Sequence, residues 1–169
     1  METRKTKLGA DHPDTLSSMA NLAATFMNQG RWEEAEKLQL QVMETSKTKL
    51  GADHPDTLTS MANLAATFMK QGRWDAAEEL ELQVMKTRKT KLGVDHPSTL
   101  TSMNNLAFTW KSQGRVDNAI NLMKECVMLQ TQMIGINHPN TLASQTTLLG
   151  WQTERLRVSD MVDDVPNIV

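Results

Sequence analysis

The chain has 169 residues, a formal net charge of −2 and a pI of about 6.1, without the basic surplus of a general nucleic-acid or anionic-membrane binder. Its single cysteine, Cys126, excludes an internal disulfide and fits a reducing, cytoplasmic setting. No run approaches the roughly 18 apolar residues read as a membrane span, and no apolar stretch follows the basic start METRKTKLG as a secretory signal would require.

Landmarks recur every 42 residues. Gly9, Gly51, Gly93 and Gly135 keep this step, as do His12, His54, His96 and His138 and the prolines that follow each histidine. Residues 3–44 and 45–86 match at 34 of 42 positions. A fixed period of this length predicts stacked units, in which each unit packs on its neighbours. The repeats are read as 3–44, 45–86, 87–128 and a partial 129–155, within an array spanning 1–155 and followed by a divergent tail at 156–169.

In chain order, residues 1–8 resemble the tail of a second helix that lacks its first helix. This is read either as a piece of a longer array or as a stub that frays. The first complete unit then begins at His12. Leu16, Met19, Ala20, Leu22, Ala23, Phe26 and Met27 fall on a wide helical face. Pro13 suits the first helical position, Asp14 favours the positive end of the helix dipole, and Gly30 suits a left-handed terminus. A second helical row follows: Trp32, Ala35, Leu38, Val42, Met43 and Ser46, with Lys47 and Lys49 in the last turn and Gly51 as its stop. The same pattern predicts helices near 13–29, 31–49, 55–71, 73–91, 97–113, 115–133 and 139–155. No segment alternates as a strand does, which removes the four-stranded propeller blade at this period. The last helix turns polar at Gln145, Thr146, Thr147 and Gln152, as a terminal cap requires. Val165-Pro166 argues against a long helix in the tail.

The stretch NLAATFMNQGRWEEAEKL (21–38) resembles the core of a tetratricopeptide repeat. Leu22, Ala23, Phe26, Gly30, Trp32 and Ala35 fall on its large, small, aromatic, turn, aromatic and small places. The 42-residue period and the loop LGADHPDT are similar to the kinesin light chain type of repeat. Repeats of this kind also form arrays in some NOD-like, signal-transducing ATPases. The resemblance implies an all-α fold, a right-handed α-solenoid of stacked antiparallel helix pairs, and protein–protein recognition. It also implies a concave groove lined by the first helix of each pair. The corresponding positions here are Ser17, Ala20, Ala24 and Met27, then Thr59, Ala62, Ala66 and Met69, then Thr101, Asn104, Phe108 and Lys111. Asn104-Asn105 matches the paired asparagines of kinesin light chain repeats, where the first reaches peptide backbone, whereas Ala20 and Ala62 lack that amide. Ala24 and Ala66 replace the asparagine of a carboxylate clamp, which counts against recognition of a free C-terminus.

Residue types that advertise chemistry are absorbed by the repeat. Packed helices lie roughly 8–10 Å apart, so equivalent histidines cannot converge on a metal that binds nitrogen at about 2 Å; a capping or loop role is expected. Cys126 stands where Val42 and Val84 stand, which predicts a buried apolar role. Asp11 and Asp14 and their copies read as helix-start charges, since the spaced oxygen ligands of a calcium loop are missing. No glycine-rich phosphate loop occurs. The basic row Lys5, Lys7, Lys47, Lys49, Lys89 and Lys91 is expected to complement helix dipoles and to pair with the acidic start of the next unit.

Most methionines read as core filler, with Met27 and Met69 the two placed toward a ligand. Trp110 replaces Phe26 and Phe68 and is expected in the core. Phe108 replaces the small Ala24 and Ala66 and reads either as a binding anchor or as a residue that fills a closing groove. The sequence therefore points to a non-catalytic interaction scaffold with no cofactor and no metal. It would take a protein or peptide partner, and neither nucleic acid nor membrane. The alternative is a self-assembly module that stacks through its repeat ends, or a sensor-array fragment of a larger signalling ATPase.

Overall fold

Each His-Pro dipeptide starts a helix. His12, His54, His96 and His138 each accept a hydrogen bond at Nδ1 from the backbone N–H two residues on, at 3.1–3.2 Å. The first three hold extended backbone, as an N-cap requires, and the proline that follows has no N–H to satisfy. The computed structural model of the chain describes residues 8–9 and 11–163, so the expectations for residues 1–7 and for Val165-Pro166 lie outside the described residues.

Among the described residues 11–163 there are seven helices and no strand: α1 (Pro13–Asn28), α2 (Trp32–Leu50), α3 (Pro55–Lys70), α4 (Trp74–Leu92), α5 (Pro97–Ser112), α6 (Val116–Ile134) and α7 (Pro139–Asp163). None is long and apolar enough to cross a membrane. The first helices α1, α3 and α5 end alike. After α1, the Gly30 N–H reaches the Met27 carbonyl at 3.1 Å and the Arg31 N–H reaches the Phe26 carbonyl at 2.9 Å. This is a Schellman closure, and it needs the left-handed φ of +73° that Gly30 adopts. The turn also places the Arg31 guanidinium 4.1 Å from the centre of the Phe26 ring. Arg73 over Phe68 and Arg115 over Trp110 repeat the stack, each worth about 0.5–1 kcal/mol at an exposed site.

The chain divides into two compact units, Met1–Thr87 and Arg88–Val169. In unit 1, α1 packs on α2 and α2 on α3. The α3–α4 contact is built on Leu64, Ala65, Phe68 and Ala77, with Leu58, Met61 and Val84 as its continuation. In unit 2, Ala107, Ala119, Ile120, Met123 and Trp151 form the core, flanked by Trp110 and Leu148. Ala23, Ala35, Ala65, Ala77, Ala107 and Ala119 have no exposed surface. Their small side chains let the backbones of a helix pair approach. Leu64, almost fully buried, contributes about 1.5–3 kcal/mol by leaving water.

Three expectations change. Trp32, read as part of an apolar row, stays 39% exposed, and its equivalent Trp74 stays 40% exposed; each is the first residue of its helix. Helix α7 continues to Asp163 instead of stopping near 155, since no proline intervenes and Gly150 is accommodated inside it. The outer surface of α7 is not uniformly polar: Leu142, Leu149 and Leu156, seven residues apart, are all exposed.

Candidate functional site

The twelve positions assigned to a groove fall on the first helices α1, α3 and α5, and none of them is buried. Within each helix they step by three, four and three residues, so they share one face. The first and third of each set (Ser17 and Ala24, Thr59 and Ala66, Thr101 and Phe108) are exposed, and the second and fourth are half-buried.

In unit 1 this face opens into a pocket of about 470 Å³. Ser17 and Ala20 from α1 meet Thr59 from α3 there, over a floor that includes Leu16, Val42 and Ser46. Asp11, Asp56 and Lys49 stand at the same pocket. Lys49 is paired with Asp11 at 3.1 Å. Asp11 precedes the helix pair that Lys49 closes, so this lysine meets the acidic start of its own helix pair and not that of the next. The Ser60 hydroxyl, also in the lining, donates to the Thr57 carbonyl at 2.7 Å. Asp11, Val42, Ser46 and Ser60 were absent from the groove set read from sequence. The signal that marks one of them is a comparison between repeats: Ser46 is replaced by Arg88 and then by Gln130.

Met27 and Met69 also contact neighbouring helices. The Met27 sulfur lies 2.9 Å from the Thr67 hydroxyl, which also meets the Gln39 amide oxygen. Met69 packs against the cluster of Leu64, Ala65, Phe68 and Ala77. Both side chains join helices as well as facing outward. Ala62 packs against the Leu58–Met61–Val84 cluster.

In unit 2 the same face is partly occupied by the chain itself. Phe108 meets Trp151 of α7 edge-on at 5.1 Å between ring centres, yet stays 41% exposed. Lys111 donates to Glu154 at 2.8 Å. Thr101 turns its hydroxyl back onto the Pro97 carbonyl at 3.0 Å, and Asn104 is half-buried.

Two tetratricopeptide-repeat family models match the chain, over residues 14–90 and 99–140. Among solved structures, it is similar to a single-substitution variant of nearly identical TPR-like repeats from a protein of Podosopora anserina described as a kinesin light chain. That match has 30% identity and a TM-score of 0.77, and covers 97% of this chain and 79% of that one. The chain belongs to the tetratricopeptide-repeat family. The same Podosopora anserina repeats without the substitution match at 28% identity and TM-score 0.75, covering 96% and 78%. BtubC (BKLC) from P. vanneervenii shares the fold at 18% identity and TM-score 0.73, covering 95% and 66%. No curated protein matches. The fold class is thus the TPR-like solenoid of helix pairs, and repeats of this family serve protein–protein interaction.

The remaining reactive groups serve this repeat frame. Burial, aided by Glu125, pushes the Cys126 thiol up to about 11, and its sulfur lies 3.5 Å from the Leu100 carbonyl. A thiol held protonated in this way is a packing group. On the turn side of unit 1, Gln71 and Arg73 each donate to Glu36 at 2.8 Å. Burial works against the Glu36 carboxylate, but these hydrogen bonds and the Arg73 charge outweigh it and hold the group below its ordinary range. The contact ties α2 to the turn after α3 and so keeps the neighbouring pair in place.

Proposed function

We propose that the chain is a non-catalytic scaffold that holds a segment of another protein against the first-helix face, with the unit 1 pocket as its principal contact. The observation that carries this reading is the run of small side chains on α1 and α3: Ser17, Ala20 and Ala24, and Thr59, Ala62 and Ala66. Small residues leave the helix backbones accessible, and the adjoining pocket supplies the apolar concavity that binding sites favour. Within unit 2 by itself, Phe108, half-supported by Trp151 and therefore pre-positioned, offers an aromatic contact on its own first helix.

A displayed library of random peptides tests the reading. Peptides selected on the wild-type chain should lose binding when Ala20→Arg and Thr59→Arg together crowd the face, with circular dichroism showing an unchanged helix content. Peptides that bind equally to this variant would overturn it.

A second reading, assembly of copies, is favoured by one observation. Leu142, Leu149 and Leu156 form an exposed stripe along α7, with Leu149 at 63% exposure. Leu149 stands where Ala23, Ala65 and Ala107 are fully buried in earlier repeats. Sedimentation equilibrium decides this reading: it requires a concentration-dependent mass that Leu149→Glu abolishes.

A further inference from the structure

Positions 46, 88 and 130 are equivalent in successive repeats and carry Ser, Arg and Gln. At position 88 the side chain is 9% exposed, and its Nη1 donates to the Ser102 hydroxyl at 2.9 Å and to the Ser98 carbonyl at 3.2 Å. Forty-two residues earlier, those two acceptors become Ser60 Oγ and the Asp56 carbonyl, and both residues line the unit 1 pocket. What is missing there is the donor. The Ser46 side chain ends one atom beyond Cβ and, though itself buried, is part of the pocket lining.

We propose that this pocket receives an arginine side chain from the protein partner, seated as Arg88 is seated in the following repeat. The inference rests on the protein-binding reading above and sharpens it by naming a contact residue on the partner. The Ser60 hydroxyl already gives its proton to the Thr57 carbonyl, so its lone pairs face an incoming donor. Ser102 also spends its proton within its own helix, on the Ser98 carbonyl four residues back at 3.0 Å where Ser60 uses the carbonyl three back, and it accepts from Arg88. Leu16, Ala20 and Val42 offer apolar surface for the methylene stem. Two carboxylates, Asp11 and Asp56, border the pocket against one ammonium, Lys49, which Asp11 already binds. The balance favours a cation. A guanidinium suits better than an ammonium because its planar fork addresses two acceptors at once and is more weakly hydrated.

The experiment is a heteronuclear NMR titration of the whole chain with three acetylated, amidated tripeptides, Ala-Arg-Ala, Ala-Lys-Ala and Ala-norleucine-Ala. The arginine peptide should give saturable shifts at the amides of Ala20, Ser46, Thr59 and Ser60. The lysine peptide should bind more weakly and the norleucine peptide should give no saturation. Ser46→Arg would supply the guanidinium internally; it should weaken the arginine peptide at least about tenfold and raise the melting temperature. Should that variant fail to fold, Ser60→Ala removes one acceptor at little structural cost and should weaken binding severalfold. Absence of saturable shifts at these amides, equal binding of the norleucine peptide, or unchanged affinity in a folded Ser46→Arg chain would overturn the proposal. Failure here is distinct from failure of the broader reading: displayed peptides would still be captured by the α1–α3 face but without an arginine requirement, whereas the broader reading fails when none depends on that face.

Discussion

In unit 1, α2 presents Ser46 toward α3 and a pocket of about 470 Å³ stays open; in unit 2, the end of α4 presents Arg88 to α5 and the guanidinium occupies the corresponding acceptors. The frames around the two positions are the same. His54 and His96 cap α3 and α5 alike, and the Schellman turns after α3 and α5 share their hydrogen bonds. The difference therefore lies in side chains: among the residues that line the pocket, Ser17, Ser46 and Asp56 become Thr59, Arg88 and Ser98 one repeat later, and Ser46 to Arg88 is the largest change. A repeat whose caps are fixed by His, Pro and Gly can thus change what lines its pocket while its helix starts and turns stay the same. A second contrast runs the same way. The first-helix face of unit 1 carries alanines, while that of unit 2 is closed in part by Phe108 on Trp151 and by Lys111 on Glu154.

The largest effect is expected from the core, and it tests whether the two units are separate in stability. Leu64 and Leu106 are equivalent and buried to within 1%. Leu64→Ala and Leu106→Ala should each cost about 2–5 kcal/mol. If the units unfold independently, each variant shifts a different transition in urea; a single shared transition would merge the two units thermodynamically. Next in size is Arg88→Ser, which gives unit 2 the residue of unit 1. It removes two charge-assisted hydrogen bonds and opens space, and should cost about 1.5–3 kcal/mol by urea denaturation. A neutral outcome would mean that the filled and open states differ in binding alone.

The caps should behave as matched controls. His54→Ala and His96→Ala each delete one acceptor for a helix-start N–H, and each should cost about 1 kcal/mol in thermal unfolding. Unequal costs would show that the shared frame is not energetically shared. The smallest effect concerns pH. The Glu36 carboxyl sits below its ordinary range in the folded chain, so its contribution is present at neutral pH and is lost as pH falls through the acid range toward the folded value. Two repeats on, Ile120 occupies this place and is buried in the unit 2 core. Glu36→Gln should therefore reduce the acid sensitivity of unit 1 by less than about 1 kcal/mol, as expected for a pair whose arginine is half-exposed.

The helices were legible because their punctuation is covalent and local. Proline, glycine and histidine recur at fixed places, and each acts within a few residues. Helix α7 ran past its expected end for the same reason: the local signals after Gly150 are weak until Pro166, and nothing nearer stops the pattern. The pocket was less legible. Ser46 looked like one small member of an apolar row, and its consequence appears only when α3 brings Ser60 opposite it and Arg88 shows what the space can hold. Met27 carries a second contact that its position does not announce: half-buried on the first-helix face, its flexible chain also brings its sulfur to Thr67. Sequence position fixes where a side chain starts and leaves open where a long one ends.

The likeness of the first two repeats also bears on how the chain finds its partners within itself. Helices α1 and α3 are nearly interchangeable in sequence, so during folding α2 meets two almost equal candidates for each of its faces. Between α1 and α3 only Ser17 against Thr59 and Asn28 against Lys70 differ, so few residues label the correct order. Gln39 against Thr67, and Glu36 against Gln71 and Arg73, join one copy to the next, and Ser46 and Ser60 line one pocket across that step. Of these, Gln39 and Ser46 change to Glu81 and Arg88 one period later. A chain made uniform at all the positions where the copies differ would keep its helices and lose its addresses, and misregistered or swapped pairs are the failure to expect.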